Sequence, residues 1–208
     1  MLEVAEKRVS TIRKKKISFE DFLTKFDGKH AEWIDGEVIE FMSASDKHQD
    51  LVRFFTVVLG VFIEEKDLGI IRTAPMTIRL SERGREPDLF FVAKNRLDKL
   101  EKNYFDGSPD LIIEIISPES RGRDRGDKFY EYEIAGVKEY WIVDYEREKV
   151  EFYNLDKDGF FQMVYADETN TFHSQVLPNL RLNVSWLWQE KLPNLLQVLK
   201  EWELVKQF

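Results

Sequence analysis

The sequence predicts an α/β protein (an α+β mixed sheet) with flanking helices and a β-rich C-terminal extension. Three observations lead there. Residues 111–117, 124–135 and 139–143 read in turn as apolar strand, amphipathic helix and apolar strand, the order of a parallel crossover unit. Upstream of that unit, helix-like and strand-like segments are interleaved. Downstream, the alternating segments 150–153 and 160–164 continue the β pattern. At 208 residues, 43% of them hydrophobic, the chain is long enough to bury a core as one domain. Residues 1–17 are expected to form a flexible basic segment, and 18–208 the single domain.

Ser18 followed by Asp21 is a helix-start signal, so Phe19 to Phe26 reads as a short amphipathic helix. In Trp33-Ile34-Asp35-Gly36-Glu37-Val38-Ile39 an Asp-Gly pair stands between hydrophobic flanks, which marks a tight hairpin. From about Ser45 to Lys66, Leu51, Phe54, Phe55, Val58, Leu59 and Phe62 recur at helical spacing, and Gly69 turns the chain out. Strands follow at 70–72, 76–80 and 89–92, then a short helix or structured loop from Asn95 to Lys102. Leu111 to Ser117 is a buried strand with Glu114 in its middle. Asp124 to Ala135 is the second main helix, closed by Gly136 where a left-handed residue is favoured. Tyr140-Trp141-Ile142-Val143 is continuous enough in apolar character to be a central strand. Asp158-Gly159 marks a second hairpin, and a helix near Leu195 to Lys206 ends the chain.

The absence of cysteine excludes disulfides, cysteine-built zinc sites and thiol catalysis, in keeping with a reducing cytoplasm. No stretch has the length and apolarity of a signal peptide or a membrane span, so a soluble cytoplasmic protein is expected. A net charge of −8 argues against broad nucleic-acid binding but leaves room for a local basic groove. Two basic patches exist, Arg13-Lys14-Lys15-Lys16 and the loop arginines Arg121, Arg123 and Arg125. The first reads as a solvated tail; the second adjoins the suspected site and either clamps phosphates or is a solvated loop.

That suspected site is built on Glu114. A carboxylate inside the run Leu111-Ile112-Ile113-Glu114-Ile115-Ile116 is costly to desolvate unless something compensates it. Asp88 opens the neighbouring strand Leu89-Phe90-Phe91-Val92. Two carboxylates, with the Ile115 backbone carbonyl as a third ligand, suit a hard divalent ion such as Mg2+, with Mn2+ as a substitute. Glu114 to the strand end is about 10 Å of rise, and Asp124 to Lys128 about 6 Å, so a helix folding back brings Lys128 nearly level with Glu114. Its ammonium could orient an attacking water or neutralise a phosphate transition state. Together these residues point to a metal-dependent phosphodiester hydrolase. They equally fit a buried Glu114–Lys128 ion pair with Asp88 only punctuating a strand. Glu37 is either a further metal or water ligand or an exposed hairpin glutamate, and His48 either a substrate-side group or a helix-start histidine. Tyr132, four residues after Lys128, reads as packing. No Gly-rich phosphate loop, serine–histidine–acid constellation or His-rich metal motif is present, which removes most rival enzyme classes.

Pro87-Asp88, the block from Pro109 to Pro118 with Glu114 at its centre, Arg123 to Lys128, and Ala135 to Asp144 together resemble the Uma-type putative restriction endonucleases of the PD-(D/E)XK nuclease superfamily. The likeness covers about residues 18 to 165, and Asp35-Gly36-Glu37 and His48 resemble the family's first strand and helix. It implies a restriction-endonuclease-like core, magnesium held by Asp88 and Glu114, and catalysis assisted by Lys128. DNA is then the expected substrate, and a homodimer is attractive because cutting a duplex takes two sites. In the superfamily's basic pattern a lysine stands two residues after the glutamate; here that position is Ile116, and Lys128 on the following helix fits the displaced lysine. The alternative is a catalytically silent nucleic-acid-binding or protein-interaction module on the same scaffold.

Overall fold

Short strands build two principal sheets in the computed structural model, which describes residues 16–40, 45–116 and 125–205. Helix α1 (Phe19–Lys25) starts where the Ser18 side chain accepts the Asp21 N–H at 3.0 Å. Strands β1 (Ala31–Ile34) and β2 (Glu37–Glu40) are joined by Asp35 and Gly36, at φ 50° and 91°. Both residues lie in the left-handed region that a two-residue hairpin turn with matching twist requires. Helix α2 (Asp46–Glu65) buries its predicted apolar stripe from Leu51 to Phe62.

Next come β3 (Gly69–Thr73), β4 (Thr77–Leu80), β5 (Arg83–Arg85), β6 (Leu89–Ala93), a 3-10 helix (Lys94–Lys99), β7 (Tyr104–Asp106) and β8 (Leu111–Ile115). Helix α3 (Asp127–Ala135) leads to β9 (Glu139–Asp144), β10 (Lys149–Leu155) and β11 (Phe161–Val164). The extension holds β12 (Thr171–His173), β13 (Arg181–Asn183), a second 3-10 helix (Val184–Trp188) and α4 (Leu195–Glu201).

The larger sheet has the order β11-β10-β9-β8-β6-β3, and β8 and β9 pair in parallel across the predicted crossover. The second sheet runs β2-β1-β5-β4-β7, and β12 and β13 form a separate hairpin. Strands β5, β7, β12 and β13 have three residues each, too few for alternation to show in the sequence.

One face of the larger sheet, with Phe91, Ile113, Trp141 and Val143, packs on α2 and the C-terminal extension. The other, with Phe90, Ile112, Tyr140 and Ile142, packs on Tyr132 of α3 and on Ile78 and Phe105 of the second sheet. Trp186 and Trp202 pack inward: Trp202 lies edge-on to Phe62 at 5.7 Å and 6.2 Å from Trp186. The extension is also fastened through a buried carboxylate. Glu139 on β9 accepts Trp141 Nε1 at 2.7 Å and the N–H groups of Gln175 and Val176 at 2.7 and 3.1 Å. Phe172 stacks on Phe152 of β10 with ring centroids 3.7 Å apart. No described helix is long and apolar enough to cross a membrane.

The start of α2 is set by Ser45, whose Oγ accepts the His48 N–H at 3.2 Å. Ser45→Ala should therefore lower stability by about 1 kcal/mol. Chemical denaturation should show the midpoint moving with little change in slope.

Candidate active site

Strands β6 and β8 are antiparallel with Leu89 opposite Ile113. Continued by one residue, that register sets Asp88 across from Glu114. Asp88 Oδ2 accepts the Ile115 N–H at 2.7 Å and lies 3.2 Å from His48 Nε2 in the first turn of α2. Two of the residues singled out in the sequence, 40 positions apart, are thus joined. The turn preceding α3 brings Lys128 over the sheet, as the rise-per-residue estimate anticipates. Its Nζ lies 2.9 Å from Glu114 Oε1, and both side chains are buried. One turn further along α3, Tyr132 donates its hydroxyl to the same Glu114 oxygen at 2.9 Å. Tyr132 does pack in the core, but it also orients the central carboxylate.

Sequence reasoning missed Glu32. This fully buried residue on β1 sits with Oε1 3.2 Å from Lys128 Nζ, so the ammonium lies between two carboxylates. Its signal was present, since Ala31-Glu32-Trp33-Ile34 also places an acid among apolar residues. Beneath it, Arg85 is 2% exposed and donates Nη1 to Glu32 Oε2 at 2.6 Å. Arg85 Nε and Nη2 donate to the two oxygens of Glu131 on α3, each at 2.6 Å, and Arg83 also pairs with Glu131. The second sheet is thereby clamped to α3 through charge-assisted, two-pronged contacts.

Burial pushes the Glu32 carboxyl up, but Lys128 and Arg85 outweigh it and hold the group below its ordinary value of 4.5. Burial acts first on Arg85 too, yet Glu131 and Glu32 raise it. Burial, then the nearby Glu114 and Glu32 carboxylates, raise the Tyr132 hydroxyl well above 10, so it stays a hydrogen-bond donor. A depressed carboxyl contributes stability that is present above its unfolded value and lost as pH falls through the folded one. Glu32→Gln should therefore flatten the acid limb of the stability profile below about pH 4.5 while lowering stability at neutral pH. Melting temperatures measured from about pH 6 to about pH 3 check the sign; parallel profiles for the two proteins would contradict it.

The remaining predicted residues fare differently. Glu37 is exposed on the edge strand β2, and its side chain makes no hydrogen bond or ion pair among the described residues. It shares the face of Glu32, because Ile34 pairs with Glu37 and Glu32 with Ile39. Arg125 is turned to acids, with Nε 3.0 Å from Glu151 and Nη1 3.3 Å from Asp144. Arg121 and Arg123 lie outside the described residues, as do Arg13, Lys14 and Lys15 of the first basic patch.

Among the described residues no group of three or more His, Cys, Asp or Glu side chains is arranged as a metal cage. The donor set on offer is two carboxylates, Asp88 and Glu114, with the Ile115 carbonyl between their strands. These hard oxygens fit a Mg2+ ion that takes its remaining ligands from water and phosphate, as Mg2+ commonly does.

Comparison with known proteins agrees with this architecture. A crystal structure of a putative nuclease belonging to DUF820 from Anabaena variabilis superimposes with a TM-score of 0.70 at 17% identity, over 83% of this chain and 97% of that one. An uncharacterized protein of Synechocystis sp. is 29% identical over 131 residues, 59% of this chain and 71% of the relative. The family model described as Uma2, putative restriction endonuclease, matches residues 19–185. With that match spanning both sheets, α3 and the Asp88–Glu114–Lys128 cluster, the chain belongs to the Uma2 putative restriction endonuclease family.

Proposed function

We propose that this protein is a metal-dependent endonuclease that hydrolyses phosphodiester bonds of DNA. The observation that carries the reading is the Lys128 ammonium set 2.9 Å from Glu114, on the strand across from Asp88. Asp88, Glu114 and the Ile115 carbonyl would hold Mg2+, or Mn2+ in its place. When bound, such an ion supplies Lewis-acid polarisation of the phosphate and a more acidic water. The chain's own groups then divide the remaining work. His48 and the Ile115 N–H fix Asp88 from two sides. Tyr132 and Lys128 both engage Glu114 Oε1, which fixes the rotamer of that carboxylate. Lys128, steadied by Glu32, stands where a cation can orient water or offset charge gathering on the phosphate.

Cleavage of supercoiled plasmid tests this directly. Wild type with Mg2+ or Mn2+ should nick or linearise the plasmid, chelation should stop it, and Asp88→Ala and Lys128→Ala should each lose at least about 100-fold. Linear product without accumulated nicks would favour paired sites in a homodimer. The closed Glu32–Lys128–Glu114 network also supports a second reading, a silent nucleic-acid-binding or protein-interaction module. That reading predicts no cleavage and no calorimetric Mg2+ binding that depends on Asp88 and Glu114.

A further inference from the structure

Exposed apolar side chains gather along one sheet edge. Five of the seven large hydrophobic side chains exposed among the described residues are Tyr130, Ile134, Phe160, Met163 and Tyr165. Ile134 is 85% exposed, Tyr165 78% and Tyr130 62%. Contacts beneath them fix their order along β11. Glu133, the neighbour of Ile134, accepts the Phe161 N–H at 2.7 Å, which sets Ile134 beside Phe160. Phe129, the neighbour of Tyr130, lies edge-on to Tyr153 at 4.9 Å, and Tyr153 pairs with Met163. Tyr165 follows Met163 on the same face, because Val164 and Ala166 turn to the opposite core. These side chains form an apolar strip beside the outermost strand of the larger sheet, and clustered exposure of this kind marks a contact surface.

The strand itself is unguarded. Outermost strands are ordinarily protected by charge, proline or a bulge. Strands β2, β3 and β7 each carry charge, at Glu37 and Glu40, Arg72 and Asp106, whereas β11 carries none. The backbone of β11 faces outward at alternate residues. The Leu155 N–H donates to the Lys138 carbonyl, away from β11, so Leu155 and Phe161 are not a hydrogen-bonded pair and Phe161 points out of the sheet. Met163, two residues on, points out as well. Glu133 occupies the Phe161 N–H. The edge then offers the Phe161 carbonyl, both groups of Met163 and, one step beyond the strand, the Tyr165 N–H. That set matches its own two-fold copy. With Met163 opposite Met163, the two residues exchange both bonds, and each Tyr165 N–H meets a Phe161 carbonyl. No donor is asked of Phe161. The same rotation brings each Tyr165 ring to the Phe160 end of the other strip. A strand from another protein would meet the same backbone groups; a second copy also brings a strip that matches in order and length. The nearest acids are engaged within the fold, Glu133 by Phe161 and Asp156 by the N–H groups of Asp158 and Phe160.

We propose that this face joins two copies of the chain, with β11 pairing antiparallel to β11 of the second copy about a two-fold centred on Met163. The two larger sheets become one continuous sheet that carries both α3 helices on the same side. Tyr130, Ile134 and Phe160 of each copy flank the seam. The pairing asks nothing of the chemistry at Glu114 and is tested apart from cleavage.

Sedimentation and disulfide trapping supply the test. Wild type at micromolar concentration should sediment as a dimer, at twice the 24.8 kDa of one chain. Met163→Lys sets like charges against each other across the seam and should shift the protein to monomer with an unchanged circular-dichroism spectrum. Because the chain has no cysteine, Met163→Cys reports on the seam alone. Residues in a hydrogen-bonded antiparallel pair have Cα atoms about 5.5 Å apart, within disulfide range. Mild oxidation should therefore convert most of Met163→Cys to a covalent dimer, reversed by dithiothreitol. Tyr165 and its counterpart lie four residues out of register, about 13 Å along the strand, so Tyr165→Cys should cross-link several-fold less. A monomeric wild type would overturn the proposal, whatever else then occupies the face. So would a dimer that Met163→Lys leaves intact, or equal cross-linking of the two cysteine variants.

Discussion

Glu114→Gln should abolish metal-dependent plasmid cleavage, by about 1,000-fold or more, while leaving a folded protein. The substitution removes the charge that both a metal and Lys128 require but keeps the shape of the side chain. An amide oxygen can still accept from Tyr132 or Lys128. Lys128 retains Glu32 at 3.2 Å, so no buried cation is left without an anion. Glu114→Ala should be equally inactive and less stable, because the Tyr132 hydroxyl loses its acceptor at a cost of about 1–3 kcal/mol. Plasmid nicking, read beside thermal melts of both variants, separates the two effects. Substantial cleavage by folded Glu114→Gln would refute the site.

Arg85→Met should give a larger loss of stability. Arg85 is the shared partner of Glu32 and Glu131, and its three short hydrogen bonds are almost fully shielded from water. Methionine fills much of the volume but leaves two carboxylates short of a cation. Breaking a buried pair from one side costs about 3–5 kcal/mol. In a chain of this size that corresponds to a drop in melting temperature of roughly 6–20 °C. Changing Glu32 and Glu131 to Gln in the same protein should recover part of the loss, since in Arg85→Met each carboxylate keeps only one cation, Lys128 or Arg83, in place of two. A single variant within about 1 kcal/mol of wild type would show that the clamp contributes little.

The parts of this site that were legible in the sequence are those governed by local arithmetic. An acid in an apolar strand, an acid opening the next strand and a lysine one turn into the following helix are all fixed by rise per residue and strand order. The architecture of the central crossover was legible for the same reason. Glu32 escaped because its strand has four residues, and the partners that give it meaning, Arg85 and Lys128, come from other elements. Arg125 shows the converse. Its sequence neighbours left it open between a phosphate clamp and a solvated loop, and neither reading names the acids the fold brings to it, Asp144 from β9 and Glu151 from β10. Partner choice across a sheet depends on packing that residue spacing does not encode. The division into two sheets was hidden too, since β5 and β7 are too short to carry a period.

The Glu139 carboxylate has one further consequence. It binds the backbone of Gln175 and Val176 from the middle of the larger sheet, and Phe172 stacks on β10 beside it. The hairpin of β12 and β13, which by its length alone would open and close on its own, therefore shares its fate with the central strands. Its amide hydrogens should exchange only when the whole molecule opens, so the C-terminal extension belongs to the same cooperative unit as the sheet that carries Glu114.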